Sequence, residues 1–162
     1  MSSPDESLVS DAAPGMARDL RTNCFAAVVM LVIEFGLGMW TNIYANLPAV
    51  DRGRGMFAAF GHAVADGPVG LSLHAIVGTL LVVTGVSAVV RAALTRSPLS
   101  ISVTGVALLA ILAAWSSGAR FVGDMSKGPS LTMAIATGVA LLCYVVLLFV
   151  PPGALSRRRP KG

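Results

Sequence analysis

Four side chains carry chemistry into surroundings that are otherwise apolar: Glu34 in "LVIEFGLGMW", His74 in "SLHAIVGTLLVVTG", Arg120 in "WSSGARFV" and Met133 in "SLTMAIATGV". A carboxyl group and an imidazole within reach of one another can share or pass a proton. An imidazole facing a thioether can hold a metal between them, and a guanidinium can clamp a carboxylate. In hydrocarbon each strongly polar group costs several kcal/mol unless it is paired, reaches the interface or faces a cavity, so each is a functional candidate by default.

Composition says what kind of elements must position them. With 162 residues, 55% of them apolar and only 12% charged, and a mean hydropathy of +0.77, the chain is too apolar for an ordinary soluble domain. Apolar stretches over residues 22–45, 68–93, 99–121 and 129–150 are each long enough for a bilayer core, which takes about 20 residues of helix. The expected fold class is all-α: an integral membrane four-helix bundle over residues 21–150. Residues 1–20, rich in Ser, Asp and Pro, and residues 151–162, with "RRRPK", are expected to be tails, the first disordered and the second basic. The first apolar stretch is too long for a signal-peptide core and follows an acidic segment, so it is expected to stay in the chain.

Orientation is read from the cations. Arg18, Arg21, Arg91, Arg96, Arg157, Arg158, Arg159 and Lys161 fall on one side of four spans, and Arg52, Arg54, Arg120 and Lys127 on the other. Eight against four predicts that both termini lie in the cytoplasm. The expected location is the plasma membrane of a bacterial cell. The net charge of +4 then expresses this bias together with attraction to anionic membrane lipid. Nucleic-acid binding is not needed to explain it, since no basic surface interleaved with aromatics is present.

Between the first two spans, Met56, Phe57, Phe60 and Val64 fall near one side of a helical wheel, which predicts a short amphipathic helix in the outer loop. "TRSPLS" and "GDMSKGP" read as tight turns. Cys24 and Cys143 read as small packing residues, and Trp40, Tyr44 and Trp115 as an aromatic belt. "GLSLHAIVGTLLVV" and "GPSLTMAIATGVALL" form a weak internal repeat that pairs the second span with the fourth.

The polar residues cluster in depth. Glu34 lies eight residues before Asn42, about 12 Å below the outer surface, and His74 six residues after Pro68, about 9 Å deep. Thr132 and Met133 lie about 5 to 6 Å inside the fourth span, and the long stem of Arg120 reaches the interface from the third. His74 with Gly78 at i+4 puts a ligand and a gap on one helical face, the arrangement a flat macrocycle needs. Haem b, with His74 as metal ligand and Met133 as a second axial donor, suits that pattern, and Arg120 could pair with a propionate. The alternative is a cofactor-free polar cluster in which Glu34, His74 and Arg120 fix helix register, with Thr132 and His62 as further polar candidates beside Glu34, and small residues serve only close helix packing. His62 reads as a solvated interface residue, or as a cap on a haem edge.

The second span resembles the histidine-bearing helix of the haem A synthase family, in which a His near the outer end opens a long apolar helix ending in a basic residue. "LLAILAAWSSGARFV", "SLTMAIATGVALL" and "IEFGLGMWTNIYANLP" are similar to that family's third, fourth and first helices. The resemblance covers residues 27–150 and implies one four-helix half, a b-type-cytochrome-like bundle. Leu71 stands where the family carries a catalytic Glu, Ala75 where it carries an Arg, and Thr132 where it carries the second His, and the outer-loop cysteine pair is absent. Oxidation of a haem methyl group is therefore not implied.

No phosphate-cradling loop, catalytic triad or zinc spacing is present, so an enzyme is not expected. The leading expectation is a haem-binding membrane bundle acting in electron transfer, haem handling or sensing, with a redox or membrane-complex partner or a second copy of itself. The first alternative is an accessory or assembly subunit without cofactor. A proton-coupled transporter using Glu34 and His74 as a relay is the second. The cation count makes its own prediction: a C-terminal green fluorescent protein fusion will fluoresce and a C-terminal alkaline phosphatase fusion will be inactive. The reverse pattern refutes cytoplasmic termini.

Overall fold

The computed structural model describes residues 4–44, 55–124 and 127–150, with side chains excepted at 4–14, 56, 59, 63, 122–124 and 127. Five helices account for nearly all of them: α1 Pro4–Tyr44, α2 Met56–Asp66, α3 Val69–Thr95, α4 Pro98–Asp124 and α5 Lys127–Phe149. No strand occurs among the described residues. Four segments are long and apolar enough to cross a membrane: Gly15–Tyr44, Val69–Thr95, Pro98–Phe121 and Gly128–Phe149. They bear large apolar side chains on their outward faces, among them Phe25, Ile33, Val83, Leu109 and Leu142, as a bundle solvated by lipid requires.

The helices form a closed ring in which α1 packs on α3, α3 on α4, α4 on α5 and α5 back on α1. Side-chain contacts set the register. Asn23 donates to the carbonyl of Thr84 at 3.2 Å near one end of the α1/α3 seam, and Trp40 packs on Gly70 near the other, so the two helices run antiparallel. Arg21 Nη2 donates to the carbonyl of Leu148 at 2.8 Å, which brings the start of the first span and the end of the last to one end of the bundle. At that end Arg91 also faces Asp19 at 3.6 Å. The first span accordingly begins before the 20/21 boundary read from composition, because Ala17 and Leu20 are already buried. The tail at 151–162 and the segment at 45–54 lie outside the described residues.

This termini end holds the dense core. Leu20, Cys24, Ala27, Ala88, Ala92, Ala107, Ala140, Tyr144 and Leu147 are almost completely buried. So many alanines at the seams let the backbones approach closely, which is how helices gain packing energy where lipid supplies no hydrophobic drive between them. Cys24 and Cys143 are free thiols, the first buried in this core and the second half-buried beside it. At the opposite end α2 lies against α3 and α4. Its Phe60 and Val64 are half-buried, whereas Phe57 is 74% exposed, so the four apolar residues grouped on one side of the wheel do not all face the bundle.

The turn between α3 and α4 is built from capping chemistry. Arg96 adopts the left-handed conformation at φ 53°, and its N–H returns to the carbonyl of Ala93. Ser97 Oγ then accepts from the N–H of Ser100 at 3.4 Å, and Pro98 opens α4 where its missing N–H is not needed. Arg96 is the one described non-glycine residue with positive φ. Since glycine adopts that conformation without the Cβ penalty, Arg96→Gly is expected to stabilise the bundle by about 1 kcal/mol, read as a raised unfolding midpoint in detergent. An unchanged or lowered midpoint refutes this account of the turn.

Candidate functional site

Two helices supply one titratable side chain and one gap each, at the same spacing. On α1, Glu34 is followed four residues later by Gly38; on α3, His74 is followed four residues later by Gly78. An i, i+4 pair lies on one helical face, and the antiparallel register sets each side chain opposite the other helix's glycine. A Cβ on Gly78 would lie 2.8 Å from Glu34 Oε1, and one on Gly38 would lie 3.2 Å from His74 Cε1. Each polar group therefore fills the hollow left by the partner helix's glycine. The two meet with Nδ1 of His74 3.0 Å from Oε1 of Glu34, and their side chains are 16% and 12% exposed.

The approach is close but lacks the alignment of a hydrogen bond, and Glu34 Oε2 is buried with no partner. With one proton between them the pair carries no net charge whichever group holds it, and that is the state hydrocarbon tolerates best.

The pair stands in the wall of a cavity of about 130 Å³ that draws its lining from all five helices. Most of that lining is apolar. Thr41, one turn beyond Gly38, is 6% exposed and adds a second buried oxygen without a partner. Met133 lines the cavity from α5, its sulfur 3.4 Å from where a Cβ on Gly118 of α4 would stand. Trp115 lines it from α4 and donates its indole N–H to Thr79 Oγ1 at 3.3 Å, tying α4 to α3. Phe60 of α2 covers this side, its ring centroid 5.3 Å from that of Trp115.

Of the residues singled out from sequence, His74, Gly78, Glu34 and Met133 meet at this cavity. Three others lie apart from it. Arg120 is exposed on α4. Thr132 is exposed, its hydroxyl returned to the carbonyl of Gly128 at 3.2 Å. The internal repeat pairs His74 with Thr132, but the side chain that reaches the cavity is the next one along, about 100° further round the helix. His62 faces Asp66 across one turn of α2 at 3.8 Å. Among the described residues no three His, Cys, Asp or Glu side chains gather to hold a bare metal ion.

Thr41 and Trp115 are site residues that sequence reasoning did not assign to the site, whereas Gly38 was among the glycines read as gaps beside it. Gly38 was legible as the mirror image of the His74/Gly78 spacing. Thr41 and Trp115 carried no such signal, since a hydroxyl near a helix end and an interfacial tryptophan are ordinary in membrane helices.

No family model, curated protein or solved structure matches this chain. The reading of the site therefore stands on its own geometry. Gly78→Ala is expected to drive the Glu34 carboxyl off His74 and cost about 1 to 3 kcal/mol, measured by thermal unfolding. In a Glu34→Ala background the same substitution should cost almost nothing, the signature of a direct coupling. Equal costs in both backgrounds refute the interlock.

Proposed function

We propose that this multi-pass membrane protein is a binding module that holds a small, largely apolar molecule in the Glu34/His74 cavity. One observation carries the reading: Glu34 and Thr41 both line the cavity, and each keeps one side-chain oxygen, Oε2 and Oγ1, buried without a partner. Buried polar groups are paired almost without exception, and an unpaired one is costliest inside a membrane-spanning bundle. A molecule that brings a hydrogen-bonding group into the cavity would satisfy them. A cofactor-free accessory subunit, in which the pair only fixes helix register, accounts for the contact between Glu34 and His74. It gives no reason for a hollow beside them. A transport path would have to pass the core around Tyr144 and Leu20, which is closed at the termini end.

Haem b is the second reading, favoured by His74 and Met133 lining one cavity. The residues as they stand do not fit it. A cavity of about 150 Å³ takes up benzene, and a tetrapyrrole is several times larger than benzene. The hollows over Gly38 and Gly78, where a macrocycle would need to lie close to backbone, are filled by the imidazole and the carboxyl.

Fluorine NMR on the protein in lipid nanodiscs separates these readings. The expected result is saturable binding of 4-fluorophenol, weaker binding of fluorobenzene, and loss of the phenol signal in His74→Ala. Absence of saturable binding overturns the proposal. A Soret band in the purified protein that His74→Ala removes would establish the haem reading instead.

A further inference from the structure

We infer that the cavity opens sideways into the bilayer through the seam between α1 and α5, and that its occupant is a membrane-dissolved phenol or hydroquinone whose tail leaves by that seam. This rests on the binding reading above and goes further in naming the route and the chemical class.

The register of α1 against α5 is anchored where Arg21 meets the carbonyl of Leu148. Carried residue for residue along the antiparallel pair, it sets Phe35 level with Ala134 and Met39 level with Ser130. All four line the cavity. Phe35 is nevertheless 53% exposed and Met39 46% exposed, and Ala134 is exposed as well. Residues that line a cavity and also face outward stand on the rim of an opening, and these come from both sides of one seam. α1 against α5 is also the sparsest of the four seams in the ring. The far side is shut, because Trp115 is bonded to Thr79 and Phe60 covers it.

Both rims belong to segments able to span a membrane. Phe35 is seven residues before Asn42, about 10 Å below the outer surface at the helical rise, so this deep part of the rim meets acyl chains. A molecule dissolved in the bilayer reaches the cavity there. Cavity size limits the buried part to about one six-membered ring, by comparison with the cavity of about 150 Å³ that holds benzene. The polar wall sets the ring's substituent. Glu34 Oε2 and Thr41 Oγ1 lack partners, and small rotations of the two side chains would turn them to the cavity beside the His74 ring, so the wall suits a hydroxyl that can both donate and accept. The aromatic rings of Phe35, Phe60 and Trp115 suit a flat partner. A hydroxylated ring meets all these demands, and its substituent opposite the hydroxyl points to the seam.

The test uses the full-length protein in nanodiscs, with 4-fluorophenol as reporter and 4-dodecylphenol as competitor. In the wild type the long-tailed phenol is expected to displace the reporter. Ala134→Trp, a change at an exposed rim position, should weaken the competitor by about tenfold or more relative to the reporter, a differential loss of about 1.4 kcal/mol. Ala134→Leu should give an intermediate loss, which guards against misfolding of the larger variant. If the reporter binds but 4-dodecylphenol fails to displace it, or displaces it equally from wild type and both variants, the sideways route is wrong while the binding reading survives. If the reporter itself does not bind, both fall.

Discussion

The structure at the α2 end of the bundle depends on the mutual burial of a carboxyl group and an imidazole, each seated over a glycine of the other's helix. Either group alone in a membrane span would carry a large desolvation cost, and together they can hold a single proton and remain neutral. The glycines make that possible. They let α1 and α3 come close enough for side chains to reach across without displacing backbone, and they leave hollows shaped by the partner that fills them. Close approach of the helices and neutralisation of the polar pair are one event.

The two ends of the bundle divide the work differently. At the termini end the seams are lined by alanines, with Cys24 and Tyr144 filling what remains, and this end closes as a dense core. At the α2 end the seams carry glycines, aromatic rings and methionine, and a cavity survives. Rigid rings and glycine hollows do not interdigitate as alanine and leucine do, so space is retained. The solid half then acts as the fixed support from which the looser half is held open, with α2 and the Trp115/Thr79 bond closing one flank. On the proposed route a site of this kind differs from a soluble pocket in the medium at its door: the rim on α1 and α5 would face hydrocarbon, and partition into the bilayer would precede binding.

Much of the architecture was legible in the chain. Four apolar runs, two short turns and a glycine and aspartate break before α2 leave few alternatives to an antiparallel bundle, because backbone in lipid must satisfy its own hydrogen bonds. The depths of Glu34, His74 and Met133 follow from counting residues at the helical rise, and they do converge on one cavity. The direction in which a side chain leaves its helix is harder to read. Thr132 and Met133 are adjacent in sequence and nearly equal in depth, yet one faces outward and the other the cavity. Arg120 faces outward.

By itself, then, the amino-acid order determined the helices, their number and the level at which each polar group sits, since these depend on local hydrophobicity and on the rise of the backbone. Only the tertiary structure decided what fills the gap beside His74. From one helix Gly78 looks like room for a flat cofactor, whereas in the folded bundle the carboxyl of Glu34 lies there, brought from 44 residues away in the chain. A hollow on one helix is claimed by whatever the neighbouring helix presents to it, and that depends on the rotation and register of two helices at once, which no local pattern encodes.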